Sequence, residues 1–254
     1  MNIQLPAELL IAFLLTVVRI SAWIAVAPPF NSRAVPPMVK VALSVALALP
    51  VAPRMTARAP APEVGPLVGA ILLQVLTGLV LGFIAMILFS AVQAAGELID
   101  LFSGYTTASL YDPLSNSTSS MFGRLHQLIA ITLLFATGAH LLLVRGLMAS
   151  FDVVPLRADA GALPRLMVSQ LGHFFVSALE IAAPIVAVLF LAELAIGLVG
   201  RAAPSLNVLS TSFPLKILLT LSLAGLTLTV LPGAVEQLVQ HILRASAAAS
   251  RMLA

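Results

Sequence analysis

Residues 67–92 run for 26 positions without one Asp, Glu, Lys or Arg. About 20 apolar residues suffice for a helix to cross the hydrocarbon of a bilayer. Inside that hydrocarbon a backbone must satisfy its own N–H and C=O groups, so such a stretch folds as helix or not at all. Five more apolar segments follow the same pattern, and roughly they span 8–27, 38–53, 125–148, 171–200 and 213–232. The chain is 60% hydrophobic and 9% charged, against about 25% charge in an average soluble domain. One soluble core could not hide that much apolar surface. The expectation is a single all-α integral membrane domain over 1–254, with about six hydrophobic helical segments.

The punctuation between segments is proline. Pro28-Pro29 and Pro36-Pro37 bracket the first connection, Pro50 and Pro53 close the short second segment, and 54–66 is a Pro/Ala-rich linker. Pro232-Gly233 reads as a stop. Beyond it, Val235, Leu238, Val239, Ile242 and Leu243 fall at helical spacing, which predicts a separate C-terminal amphipathic helix over 234–254. The N-terminus lacks a basic residue before its apolar stretch, so it reads as a retained span rather than a signal peptide. Lys and Arg total 7 and 5 on alternate sides, too small a bias to orient the chain.

Several function classes have little behind them. No Lys/Arg cluster is interleaved with aromatics, which argues against nucleic acid as a partner. There are no cysteines, so disulfides and thiolate metal sites are out. No metalloprotease, nucleophile-elbow or phosphate-loop pattern occurs. No metal, cofactor or enzymatic activity is expected.

The polar residues are few enough to weigh singly. Ser103 to Ser120, SGYTTASLYDPLSNSTSS, holds ten Ser, Thr or Asn among 18 residues, no Lys or Arg, and the one acid Asp112. It reads equally as a surface loop or as a segment folded back to line or block a water-filled path, since irregular backbone at membrane depth must face protein or water. Just before it, in QAAGELID, Glu97 and Asp100 are three residues apart and share a helix face. They read as a polar lining, a helix contact, or an interfacial helix end. Glu193 has apolar neighbours on both sides and sits too far from Arg201 to pair along one straight helix, so a partner on another helix or subunit is expected. Pro184 predicts a kink, and Lys216 reads as a snorkelling cation beside its apolar run. Arg19 lies within the first apolar segment. Gly78 and Gly82 form a GxxxG pair that lets helices approach closely. His126 and His140 share the fourth segment, where a hydrogen-bonded packing role is the simpler account.

The stretch AELAIGLVGRAAPSLN, ending at Asn207 and leading into Phe213-Pro-Leu-Lys216, resembles the FliR family of flagellar export-gate proteins. Pro29-Phe30 with Val35-Pro36 and Lys40, the GELID turn ending at Asp100, and Gly138-Ala-His140 agree with it in order and spacing. The resemblance covers nearly the whole chain and extends to the related subunit of virulence type III secretion. It implies kinked, hairpin-like helices forming part of a helical spiral with FliP-like and FliQ-like subunits. FlhB-like and FlhA-like export proteins, unfolded flagellar proteins and membrane lipid would be its other partners. The setting would be the bacterial inner membrane at the flagellar basal body. It further implies that 103–120 is the pore plug, with Ser103, Gly104, Tyr105, Thr106, Thr107, Pro113 and Met121 in plug or gate roles. Glu97, Asp100 and Glu193 would then line the gate or join subunits, and Arg201, Pro214 and Lys216 would stabilise the turn between the last two segments.

Other readings predict different things. A secondary transporter using Glu97, Asp100 and Glu193 as coupling groups would show inverted repeats with breaks at matching places, and only Pro184 offers such a break. A structural scaffold would have little use for the polar 103–120 insert.

Overall fold

The structure is a computed structural model that describes residues 7–105, 120–154, 163–203 and 208–253, without the side chains of 163–167 and 208–211. Every regular element in it is helical. Helix α1 is Ala7–Val26. Pro37, whose missing N–H costs nothing in the first turn, opens α2 at Pro37–Ala48. Helix α3, Ala52–Met55, follows and passes into a 3₁₀ turn, Thr56–Arg58, the pair bending away from α2 by 58°. Then come α4 at Val64–Ser103, α5 at Met121–Ala136, α6 at Ala139–Val153, α7 at Leu163–Ala202 and α8 at Val208–Met252.

Among the described residues, four helices are long and apolar enough to cross a membrane, and up to six spans result if each bent pair is taken as one. Three features depart from the sequence expectation. The fourth segment is two helices, broken at Gly138, which adopts φ 71° in the left-handed region that favours glycine. The C-terminal helix is not separate, since α8 continues through Pro232 and Gly233. Val235, Leu238, Val239 and Ile242 are all buried, so packing along the apolar stripe outweighs the one hydrogen bond that proline removes. Pro214 and Lys216 also lie inside α8, which begins at Val208, rather than in the turn that precedes it. Arg201 is in the last turn of α7.

Helices α4 and α7 each have 40 residues, a length of about 60 Å at helical rise. The hydrocarbon core is about 30 Å thick, so neither is a minimal span.

The chain divides into two compact units, 1–88 with 138–171 and 239–254, and 89–137 with 172–238. In the first, α1 and α4 meet at the GxxxG pair. A Cβ on Gly78 would run into the Arg19 carbonyl and lie 2.8 Å from Ala22 Cβ, and one on Gly82 would lie 3.1 Å from the Trp23 carbonyl. The second unit is built on Phe89, Val92, Ile99, Phe122, Leu134, Ile185 and Leu189, all buried.

Arg19 is fully buried in the first unit. Its Nε donates to Gln74 Oε1 at 2.6 Å, and Nη1 to the Ser150 carbonyl and hydroxyl at 3.1 and 3.2 Å. Nη2 donates to the Val154 carbonyl at 3.4 Å, and the guanidinium lies 4.2 Å from the Phe151 ring centroid. Ser150 and Val154 sit at the C-terminal end of α6. A cation there answers the negative end of the helix dipole.

Much of the surface stays apolar. Buried residues make up 56% of the most apolar window of α4 but 22% of that of α7 and 17% of that of α8. Lipid or other chains must therefore cover α7 and α8, where Phe175, Leu179, Phe190 and Leu198 are exposed.

Gly78→Ala should force α1 and α4 apart and lower stability by about 1–3 kcal/mol, the usual cost of overpacking. Gly69→Ala on the same helix, where the added methyl meets nothing within 4 Å, should be neutral or slightly stabilising. Thermal unfolding in detergent compares the two.

Candidate functional site

The last three turns of α4 carry Gln93, Glu97 and Asp100, and the two acids meet different surroundings. Glu97 is exposed and accepts a hydrogen bond from Gln93 Nε2 at 2.9 Å, one turn back. Asp100 is 2% exposed. Its Oδ2 accepts from the Ser120 hydroxyl, from the Phe122 N–H at 2.9 Å and from the Gly123 N–H at 3.4 Å. The two N–H groups are among the first backbone donors of α5, which have no carbonyl partner within that helix. A carboxylate at the positive end of a helix is also favoured by the dipole. Ser120 completes the cap, since its Oγ accepts from Gly123 N–H at 2.8 Å.

Small residues permit this arrangement. A Cβ on Gly96 would collide with the backbone carbonyl of Phe122, and one on Gly123 with Ser120 Oγ and, at 2.8 Å, with Glu97 Cγ. Helix α4 therefore touches the start of α5 backbone to backbone. At the other end, Ser103 Oγ donates to the Asp100 carbonyl at 3.0 Å and accepts from Tyr105 N–H at 3.4 Å. Gly104 has φ 87°, and a Cβ there would sit 2.9 Å from the Phe213 ring. Both the backbone and the space at Gly104 call for glycine.

An aromatic line extends the contact. The rings of Tyr105 and Phe122 lie 5.8 Å apart, and those of Phe122 and His126 6.4 Å. His126 is fully buried, with Nδ1 2.8 Å from the Phe122 carbonyl. Among the described residues, His126 Nε2 and Asp100 Oδ1 have no hydrogen-bond partner.

Of the expected plug or gate residues, Ser103, Gly104 and Tyr105 belong to this stem and Met121 stands 58% exposed at the start of α5. Thr106, Thr107 and Pro113 lie outside the described residues. Glu193 on α7 pairs with Lys216 on α8, Oε2 to Nζ at 2.7 Å. Lys216 therefore does not snorkel, because a carboxylate one helix away takes its charge. The side chains are 57% and 10% exposed, so the lysine is the enclosed partner.

Sequence reasoning did not assign Gly96, Ser120, Phe122 or Gly123. A serine at the head of an apolar run is an N-cap signal, but nothing in it points back to an acid 20 positions earlier. Among the described residues, no group of three His, Asp or Glu could hold a metal ion. A groove of about 430 Å³ lined by Leu98, Phe102, Leu179, Ala182, Val186 and Phe190 offers no polar side chain. The geometry holds the end of α4 and the start of α5 together.

Residues 10–242 match the family described as bacterial export proteins, family 1. The chain is 31% identical to the flagellar biosynthetic protein FliR of Bacillus subtilis over 83% of each sequence. It is 31% identical to FliR of Pectobacterium carotovorum over 89% of this chain and 87% of that one. It is also 35% identical to the Yop proteins translocation protein T of Yersinia pestis, over 56% of each.

Glu193→Ala should cost about 2 kcal/mol, less than the ~3–5 kcal/mol of breaking a fully buried pair because the acid is half exposed. Lys216→Met should cost less, since the remaining acid is the accessible member. The double variant should recover part of the loss. Thermal unfolding of the three proteins in detergent checks the order.

Proposed function

The chain belongs to the bacterial export proteins of family 1, the family of the FliR flagellar biosynthetic proteins, and from that membership we propose that it is a non-enzymatic subunit of the flagellar type III export gate. In this reading it resides in the bacterial inner membrane at the flagellar basal body. It joins FliP-like and FliQ-like subunits in a channel for unfolded flagellar proteins and works with FlhA-like and FlhB-like export proteins. The observation that carries the proposal is similarity to FliR proteins over 83–89% of the chain. Lipid or neighbouring subunits can cover the exposed apolar faces of α7 and α8. The match to the Yersinia translocation protein favours a virulence secretion role as the second reading, but it extends over 56% of the chain.

We assign Ser103–Ser120 the role of channel plug. Its composition supports this: an uncharged, hydroxyl-rich segment can fill a water path and be rehydrated when displaced, without holding a passing polypeptide by charge. In this reading Glu97 lines the gate, and the Glu193–Lys216 pair, which joins α7 to α8, steadies these helices or a neighbouring subunit.

Deleting the chain should abolish flagellar filaments and export of filament protein while sparing any virulence secretion, and the reverse outcome would select the second reading. The tagged chain should co-purify with small helical membrane subunits. A chain that is stable alone and recruits none would refute the gate role. Shortening 106–119 should leave the complex intact and make vesicles containing it leak a small dye.

A further inference from the structure

Glu180 stands alone in the middle of a long apolar run on α7. Residues 166–179 before it and 181–192 after it carry no Asp, Glu, Lys or Arg. At helical rise that places it about 20 Å from either end of the run, beyond the reach of a side chain that snorkels to an interface. It is exposed, and among the described residues none bonds to it. An acid at such a depth calls for a cation, a donor or water.

The helix surface around it forms a seam. Val176, Glu180, Ala183, Ala187, Phe190 and Leu194 recur at alternating spacings of four and three residues, and all six are exposed. A strip with that repeat is the one through which two helices interlock. Ala183 and Ala187 carry only a methyl, and small residues four apart let another helix approach closely. With Phe190 they also border the apolar groove of about 430 Å³ that Leu98 and Phe102 of α4 help to line. The core contacts of α7 are made from another face, by Ala178, Ile181, Ile185 and Leu189.

We propose that this seam docks a membrane helix of a different subunit, one that brings a Lys or Arg to the depth of Glu180. The inference rests on the reading of the chain as a subunit of a membrane assembly. Charge selects the occupant. Lipid tails would leave the carboxylate unpaired in hydrocarbon. A second copy of this chain in the same orientation would set its own Glu180 at the same depth, acid against acid. A water-filled path would wet Val176, Phe190 and Leu194 on the same strip. A helix with one basic residue on an otherwise apolar face suits both parts of the seam. Lipid competes for the apolar positions on nearly equal terms. The acid therefore supplies the discrimination, as a single polar residue in a helix seam does for partner and register.

The test uses the full chain in cells, assembled with its membrane partners. A benzophenone amino acid in place of Phe190 should, on irradiation, join the chain to one helix of another subunit. Mass spectrometry of the joined peptides should find a Lys or Arg about ten residues from the crosslink, matching the separation of Glu180 from Phe190 at equal rise. Glu180→Lys should lower the amount of that subunit recovered with the tagged chain about tenfold. Reversing the partner's basic residue to Glu should do the same, and the two reversals together should restore recovery. A defect in the folding of α7 would not be restored by a change in another chain.

Crosslinks confined to lipid or to a second copy would overturn the proposal, as would undiminished recovery with Glu180→Lys. If Glu180→Lys does not reach the membrane, the crosslink and the partner's reversal against the natural chain decide the matter. If the natural chain recovers its subunits while these results fail, the seam falls and the gate reading stands. A natural chain that recovers no subunit overturns both.

Discussion

A helix that begins or ends within a packed membrane domain exposes up to four N–H or four C=O groups that no neighbouring turn can serve. Water is scarce there, so something in the protein must answer them. Breaking the fourth apolar segment at Gly138 divides it into α5 and α6, and two charged side chains meet the outer ends of the pair. Asp100 serves the N–H groups at the start of α5. Arg19 serves the carbonyls at the end of α6. Each sign matches the helix end it meets. Charges that look isolated in the sequence thus find partial charges of the backbone rather than an opposite ion.

The same view explains the third pair of charges. Glu193 and Lys216 lie within α7 and α8 rather than at helix ends, and the interior of a helix has no free backbone group to offer. They answer each other instead. Pro214 and Pro232 sit inside α8 and do not end it. A lost hydrogen bond costs less than the apolar contacts that carry the helix onward.

How much of this was legible in the sequence depends on whether the cause is local. The apolar runs announce helices because hydropathy is read residue by residue. The polar segment and its flanking acids stand out for the same reason. Gly138 was visible within the fourth segment, but hydropathy runs unbroken across it, and only a left-handed backbone reveals the break. Gly96 and Gly123 are glycine because another helix's backbone or side chain occupies the space. Asp100 and Ser120 are 20 positions apart with no periodicity to join them. The arrest expected at Pro232-Gly233 failed because Val235 and Leu238 are needed in the core. Long-range packing decided what local propensity could not.

The exposed faces of α7 and α8 have a consequence for how the chain tolerates change. Lipid tails are as apolar as leucine, so covering Phe190 or Leu198 with another protein gains little over covering it with lipid. One bulky apolar residue should serve there as well as another. A methyl added at Gly78 or Gly96 would instead run into the backbone of a neighbouring helix. Over evolutionary time the broad apolar faces are free to drift. A handful of glycines and the few charges that answer helix ends would carry the identity of the fold.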